Sequence, residues 1–433
     1  MTPLEMGIVG CVLLLVLLMS SMPVAFVMGV IGAAGFAAVI DPSAAMSMMS
    51  TELVNTFSSK SLTVIPLFVF MGQVAFHSGI SRRLFDAAYH WLGPLPGGMA
   101  MATVGACTAF GAICGSGPAT AATMASVALP EMKRYRYNME LATGAVAAGG
   151  SLGMLIPPSV VFIVYGVLTE QSVGKLFIAG IVPGLLIAGL FCLTIYARCV
   201  RNPRMGPTAP PFTWARKLLA LAGVAETLAL FLLVMGGLFL GLFTPTEAAA
   251  VGAAGSLLIA LARRGLTLGM LKRSLLETVR TSCMVLAIVA GAMIFGRFLA
   301  VTRIPTELAA ALAGLPLPGW GIMMVVIAFY LLAGCFVDAL ALVLLTVPIF
   351  YPVVTGLGYD PIWFGVIIVV VTQMGVISPP VGVCVYVVSG MERDVPLHTV
   401  FRGAIPFLLA LIVAAALLVA FPRITLFLPS WVS

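Results

Sequence analysis

The chain has 433 residues, 61% of them hydrophobic and only 9% charged, with a mean hydropathy of +1.17. A soluble domain carries about 25% charge and about 45–50% apolar residues, so 22 Lys and Arg with 15 Asp and Glu cannot cover a soluble surface. Soluble enzymes, disordered chains and, despite a formal charge of +7, nucleic-acid binders are excluded. What remains is an all-α polytopic membrane protein in the lipid bilayer.

In chain order the apolar runs cover 6–40, 62–77, 98–130, 138–169, 176–198, 218–242, 247–262, 275–300, 320–351, 362–390 and 402–421. They do not alternate with period two, as barrel strands would. Residues 6–40 contain no Asp, Glu, Lys or Arg. About 20 apolar residues make one span, so this run, interrupted by Pro23, suits one crossing or two. Only Glu5 and no basic residue precede it, which marks a membrane segment rather than a cleaved signal peptide. Segment 201–217 is polar and holds Pro203, Pro207, Pro210 and Pro211; it reads as a linker between two halves.

The halves resemble each other. Leu152 to Pro158 answers to Gln373 to Pro380, with Gly153 and Gly375 aligned at an offset of 222 residues. The same offset pairs Pro130 with Pro352 and Val173 with Val395. Thr2-Pro3-Leu4-Glu5 and Thr244-Pro245-Thr246-Glu247 both open apolar runs as capping boxes, with Pro at the first helical position. Their offset of 242 gives the first repeat, about 2–200, some 20 more loop residues than the second, about 244–421.

Basic residues cluster at Lys133–Arg136, Arg198–Lys217 and Arg263–Arg280, which places loops 131–137, 198–217 and 263–273 in the cytoplasm. The repeat counterpart of the first, 353–361, has no basic residue. Equivalent loops on opposite sides of the membrane imply inverted repeats. The eight cysteines form no C-x-x-C pair and read as small apolar residues; three scattered histidines make no metal cluster.

Four places put Gly, Pro and small polar residues deep within apolar sequence, as two pairs. Gly115-Ser116-Gly117-Pro118 halts one helix and starts another, which makes 98–130 a re-entrant hairpin. Ser116 is placed to cap its second half, whose N-terminus attracts an anion. The partner tip, Gly334 to Leu340 in the hairpin 320–351, carries Asp338, with no other charge between Glu307 and Asp360. An intramembrane carboxylate marks a functional site; Asp338 also fits an ordinary helix cap. The second pair is Gly149-Gly150-Ser151-Leu152-Gly153 leading to Pro157-Pro158, and Thr372-Gln373-Met374-Gly375 leading to Pro379-Pro380. Proline breaks each span and frees carbonyls there; a plain kink is the blander reading. Candidate cation ligands are Ser116, Gly149, Gly153, Gly334, Asp338, Thr372 and Gly375. Candidate substrate contacts are Ser116, Gly117, Thr120, Pro157 and Pro379.

Two motifs fail on context. Gly149-Gly-Ser151-Leu-Gly153 fits the G-x-S-x-G elbow but lacks the strand and the histidine base. Gly174-Lys175-Leu176 lacks the rest of a phosphate loop. Neither an enzyme nor an ATP-driven pump is indicated, so uphill transport needs an ion gradient or a partner.

The chain resembles the large membrane subunit of tripartite ATP-independent periplasmic (TRAP) transporters, the DctM-like permeases, over nearly its whole length. The resemblance rests on Gly115-Ser-Gly-Pro-Ala-Thr-Ala-Ala, Gly153-Met-Leu-Ile-Pro-Pro-Ser159, Phe177-Ile-Ala-Gly-Ile-Val-Pro-Gly184, Phe243-Thr-Pro-Thr-Glu-Ala-Ala-Ala-Val-Gly252 and Gly375-Val-Ile-Ser-Pro-Pro-Val-Gly382. It implies an elevator-type transporter of the bacterial inner membrane that couples import of an organic anion, a carboxylate or sulfonate, to sodium ions. It also implies a small DctQ-like membrane subunit, expected here as a separate chain, and a DctP-like periplasmic solute-binding protein. A channel, an intramembrane enzyme, a scaffold subunit and a carboxylate transporter without a binding protein are the rival expectations.

Overall fold

The computed structural model describes residues 2–20, 22–313 and 318–431. Its regular structure is helical throughout the described residues. The run 6–40 forms two helices, α1 (Pro3–Met19) and α2 (Val24–Val39), which settles the choice between one helix and two. α1 starts at the expected capping box: Glu5 N–H donates to Thr2 Oγ1 at 3.2 Å and Thr2 N–H to Glu5 Oε2 at 2.9 Å.

α3 (Pro42–Phe57) was not visible as an apolar run, because Ser43, Ser47, Ser50, Thr51, Glu52, Asn55 and Thr56 dilute it. It forms because Asp41 caps it and Pro42 opens it. Its buried Glu52 is neutralised by Arg297, Nε to Oε1 2.7 Å. α4 (Val64–His77) follows after a short 3₁₀ turn, the two lying at 53° to each other. α5 (Ile80–Leu92) is short and amphipathic, burying Ile80, Leu84, Phe85 and Ala87 while Arg82 and Asp86 face out.

The first hairpin is α6 (Gly98–Cys114) and α7 (Gly117–Arg134). The expected broken helix is α8 (Met139–Ser151), an irregular stretch through Pro157-Pro158, and α9 (Val160–Thr169). α10 (Val173–Arg201) closes the first half. Residues 202–213 carry no helix; α11 (Trp214–Phe239) begins inside the predicted linker. The second half runs α12 (Pro245–Ala262), α13 (Leu268–Val301), α14 (Ile304–Ala313), a hairpin of α15 (Gly319–Gly334) and α16 (Ala339–Gly356), a broken pair α17 (Pro361–Gly375) and α18 (Val383–Met391), then α19 (Leu397–Ala420) and α20 (Arg423–Leu426). Among the described residues six helices are long and apolar enough to cross a membrane, seven with the bent pair α3–α4.

Counted back from each hairpin, α5 matches α14, the pair α3–α4 matches α13, and α2 matches α12. The Thr244–Glu247 box therefore opens the counterpart of α2, not of α1, and Pro23 and Pro245 fall on the common offset of 222. The capping box is a general device for starting a helix, which is why it recurs on helices that do not correspond. The surplus of loop residues inferred from it disappears.

Burial separates the helices by role. Every residue of α8 from Leu141 to Ser151 and of α17 from Ile362 to Gly375 is buried, as expected of a helix that is apolar all round and lies at the centre. α11 instead leaves Leu219 78% and Leu232 58% exposed, a face suited to lipid. α2 packs along α13 and α12 along α4. At the base of the first hairpin Lys133 Nζ donates to Glu392 at 3.0 Å and to Asp394 at 2.7 Å, tying α7 to the loop after α18. The ammonium holds the Asp394 carboxyl below its ordinary pKa.

Candidate functional site

The first hairpin turns in two residues, Gly115 and Ser116. Gly115 takes a left-handed conformation (φ +65°), which glycine adopts without a Cβ clash, and its N–H closes on Gly111 O at 3.0 Å. Ser116 is then extended and holds the N-cap position of α7, but its hydroxyl makes no capping bond. Pro118, the second helical residue, has no N–H to offer, and the N–H of the third, Ala119, does not meet the Ser116 hydroxyl either. The Ser116 carbonyl is the occupied group instead, accepting Thr120 N–H at 3.0 Å and Thr120 Oγ1 at 2.8 Å. The N-terminal end of α7 is left open.

The second tip is built around Asp338. It is the N-cap of α16, and its Oδ2 accepts Leu340 N–H at 3.0 Å. The capping role is thus real, and the carboxylate nevertheless remains exposed on the wall of an open cavity.

Each tip lies against the broken helix of its own half. Val160 N–H donates to Gly115 O at 3.4 Å, and Val381 N–H to Cys335 O at 3.3 Å. A Cβ on Gly153 would stand 2.9 Å from Ser116 O, and one on Gly334 would touch the Cα atoms of Gly375 at 3.4 Å and Thr372 at 3.9 Å. Ser116 with Gly153, and Gly334 with Thr372 and Gly375, are therefore brought together. Gly149 lies deeper, packed against Cys107.

Both tips open on one cavity of about 600 Å³. Cys114 to Ala119 form one wall and Asp338 to Ala341 another; Pro23 to Phe26, Gln73, Thr281 and Met154 complete it. Four helix N-termini, those of α2, α7, α9 and α16, reach this space. Among its described lining residues Asp338 is the one carboxylate, and neither Lys nor Arg is present. Of the substrate candidates, Ser116 and Gly117 line the cavity. Thr120, Pro157 and Pro379 lie outside its wall, Thr120 and Pro157 fully buried and Pro379 exposed elsewhere. Sequence reading missed Pro23, Gln73 and Thr281. Gln73 had a signal, as the one amide in the apolar run of α4; Thr281 had none.

Among the described residues no group of three His, Cys, Asp or Glu could hold a metal. A cation here would rest on carbonyl and hydroxyl oxygens with the single carboxylate, a donor set that suits a hard monovalent ion.

Residues 11–424 match the family model described as the DctM component of the tripartite ATP-independent periplasmic transporter. The chain belongs to that family. The C4-dicarboxylate TRAP transporter large permease protein DctM of Pseudomonas aeruginosa is 40% identical over 88% of this chain and 89% of that protein. The isethionate TRAP transporter permease protein DctMQ of Oleidesulfovibrio alaskensis is 36% identical over 86% of this chain, which covers 59% of that longer protein. Among solved structures the chain resembles the YdaH transporter of Alcanivorax borkumensis, with a TM-score of 0.60 over 100% of this chain and 98% of that one. At 15% identity this last is a likeness of fold alone. A DctM-family chain with these spans is a multi-pass permease of the bacterial inner membrane, and its relatives are transporters rather than enzymes.

Proposed function

We propose that this chain is the large subunit of a secondary transporter that imports an organic anion, a carboxylate or sulfonate, driven by sodium ions. The observation that carries the reading is the convergence of two hairpin tips and four helix N-termini on one cavity beside Asp338. Helix N-termini favour negative charge, so they supply the attraction for an anion where no Lys or Arg stands. Asp338 works against that attraction unless a cation neutralises it. Sodium bound at Asp338, Gly334, Thr372 and Gly375, with a second ion at Ser116 and Gly153, reconciles the two. Ion binding then becomes a condition for anion binding, which is what coupling requires.

The repeated pattern of hairpin and broken helix supports inverted repeats about a midplane site, and the contrast between fully buried α8 and α17 and the exposed face of α11 supports an elevator, in which the central body would move past the outer helices. The relatives named for C4-dicarboxylates and for isethionate support the substrate class. Family membership supports a small membrane subunit and a periplasmic binding protein as partners.

Omission of components tests the assignment. In proteoliposomes under an inward sodium gradient, the chain with both partners should accumulate C4-dicarboxylate or isethionate, and the chain alone should not. Uptake by the purified chain alone would replace this reading with a transporter that needs no binding protein.

A further inference from the structure

Ser151 and Gln373 occupy matching points of the two broken helices, 222 residues apart, the interval that also separates Gly153 from Gly375. They touch each other. Gln373 Nε2 donates to the Ser151 main-chain carbonyl at 2.7 Å and lies 3.5 Å from Ser151 Oγ. Both residues are fully buried. Corresponding residues of two related motifs meet only where the axis that relates them passes, so this bond lies midway between the two breaks.

Ser151 is the last residue of α8 and leads straight into the 3₁₀ turn Leu152–Met154, whose i→i+3 bonding already engages its carbonyl. Gln373 adds a second donor to that carbonyl from the other broken helix. In return its own Oε1 has no partner among the described residues. A buried acceptor left unpaired is costly, so space filling alone would be better served by Met or Leu. What the amide gains is the tie itself.

We propose that Gln373 is a positioning residue that locks the end of α8 to α17, so that the two candidate cation sites fill as one cooperative unit. The proposal rests on the sodium-coupled reading above and deepens it. An ion at either break orders the carbonyls around it. Through the Gln373–Ser151 bond that order extends to the other break, and the second ion meets a framework that has already lost its freedom. Positive cooperativity follows without a large movement.

The test is direct binding of radioactive sodium to the complete three-component assembly, because uptake that needs two ions is sigmoidal even when they bind independently. The wild-type isotherm should have a Hill coefficient well above about 1. Gln373→Met keeps the side chain's length but has no N–H donor; the Hill coefficient of its isotherm should fall to about 1 while the protein remains folded. Should that variant fail to fold, Gln373→Asn carries the same comparison, since it stays polar but is one methylene too short to reach Ser151. A Hill coefficient unchanged in either folded variant overturns the proposal and leaves sodium coupling intact. A wild-type coefficient of about 1 also overturns it. A wild-type assembly that binds no sodium and takes up anion regardless of sodium overturns both the proposal and the reading beneath it.

Discussion

Gly375 packs against the main chain of Gly334, so closely that a Cβ at 375 would overlap the Gly334 carbonyl and stand 2.7 Å from its Cα. Gly111 and Gly153 make the corresponding contact in the first half, where a Cβ on Gly111 would stand 2.8 Å from the Gly153 Cα. Each hairpin is thus seated on its broken helix through a pair of glycines, which lets backbone approach backbone as small residues do in membrane helix packing.

Gly375→Ala should therefore destabilise the chain. The obstacle is backbone, which cannot rotate away, and overpacking of this kind costs about 1–3 kcal/mol. Thermal unfolding of the purified protein in detergent reads the effect. Gly356→Ala, a helical position with open space around it, is the control and should lie close to wild type. Equal stability of the two variants would mean that the hairpin does not depend on this seat.

Asp338→Asn separates the two roles of the second tip. Asn and Asp rank together as N-caps, so the bond to Leu340 survives the exchange. If the carboxylate also holds sodium, the concentration for half-maximal uptake should rise about tenfold or more, equivalent to about 1.4 kcal/mol. Ser116→Ala should shift the sodium curve in the same direction, because its hydroxyl makes no cap whose loss could explain the change. Wild-type sodium dependence in a folded Asp338→Asn protein would leave Asp338 as a cap only.

Much of this arrangement was legible in the sequence, and the exceptions have physical causes. The hairpin tips and breaks were visible because Gly, Pro and Asp are conspicuous in apolar runs. The convergence of α2, α4 and α13 on the same cavity was not, since Pro23, Gln73 and Thr281 meet only through packing between distant segments. α3 was missed because its stability comes from Asp41, Pro42 and the Glu52–Arg297 pair rather than from apolar composition. Ser116 was assigned a cap that its hydroxyl does not make. The Ser151–Gln373 bond needs both halves in place before it exists, although both residues stood in the repeated motif.

Orientation is open to direct labelling. In a background without cysteine, Arg134→Cys and Leu357→Cys place thiols in the basic loop and in its neutral counterpart. The positive-inside rule puts the first in the cytoplasm, and inverted repeats put the second in the periplasm. An impermeant thiol reagent added from outside should label position 357 and spare 134. Labelling of both from one side would refute the inversion.

The central claim is that ion occupancy at the two hairpin tips drives the anion uphill. The complete assembly in sealed proteoliposomes, loaded with anion at the same concentration inside and out, measures this most directly. An inward sodium gradient should raise the internal anion above the external, potassium in place of sodium should not, and collapse of the gradient should let the excess leave. Accumulation that never exceeds the external concentration, or that is the same with potassium, would contradict the account.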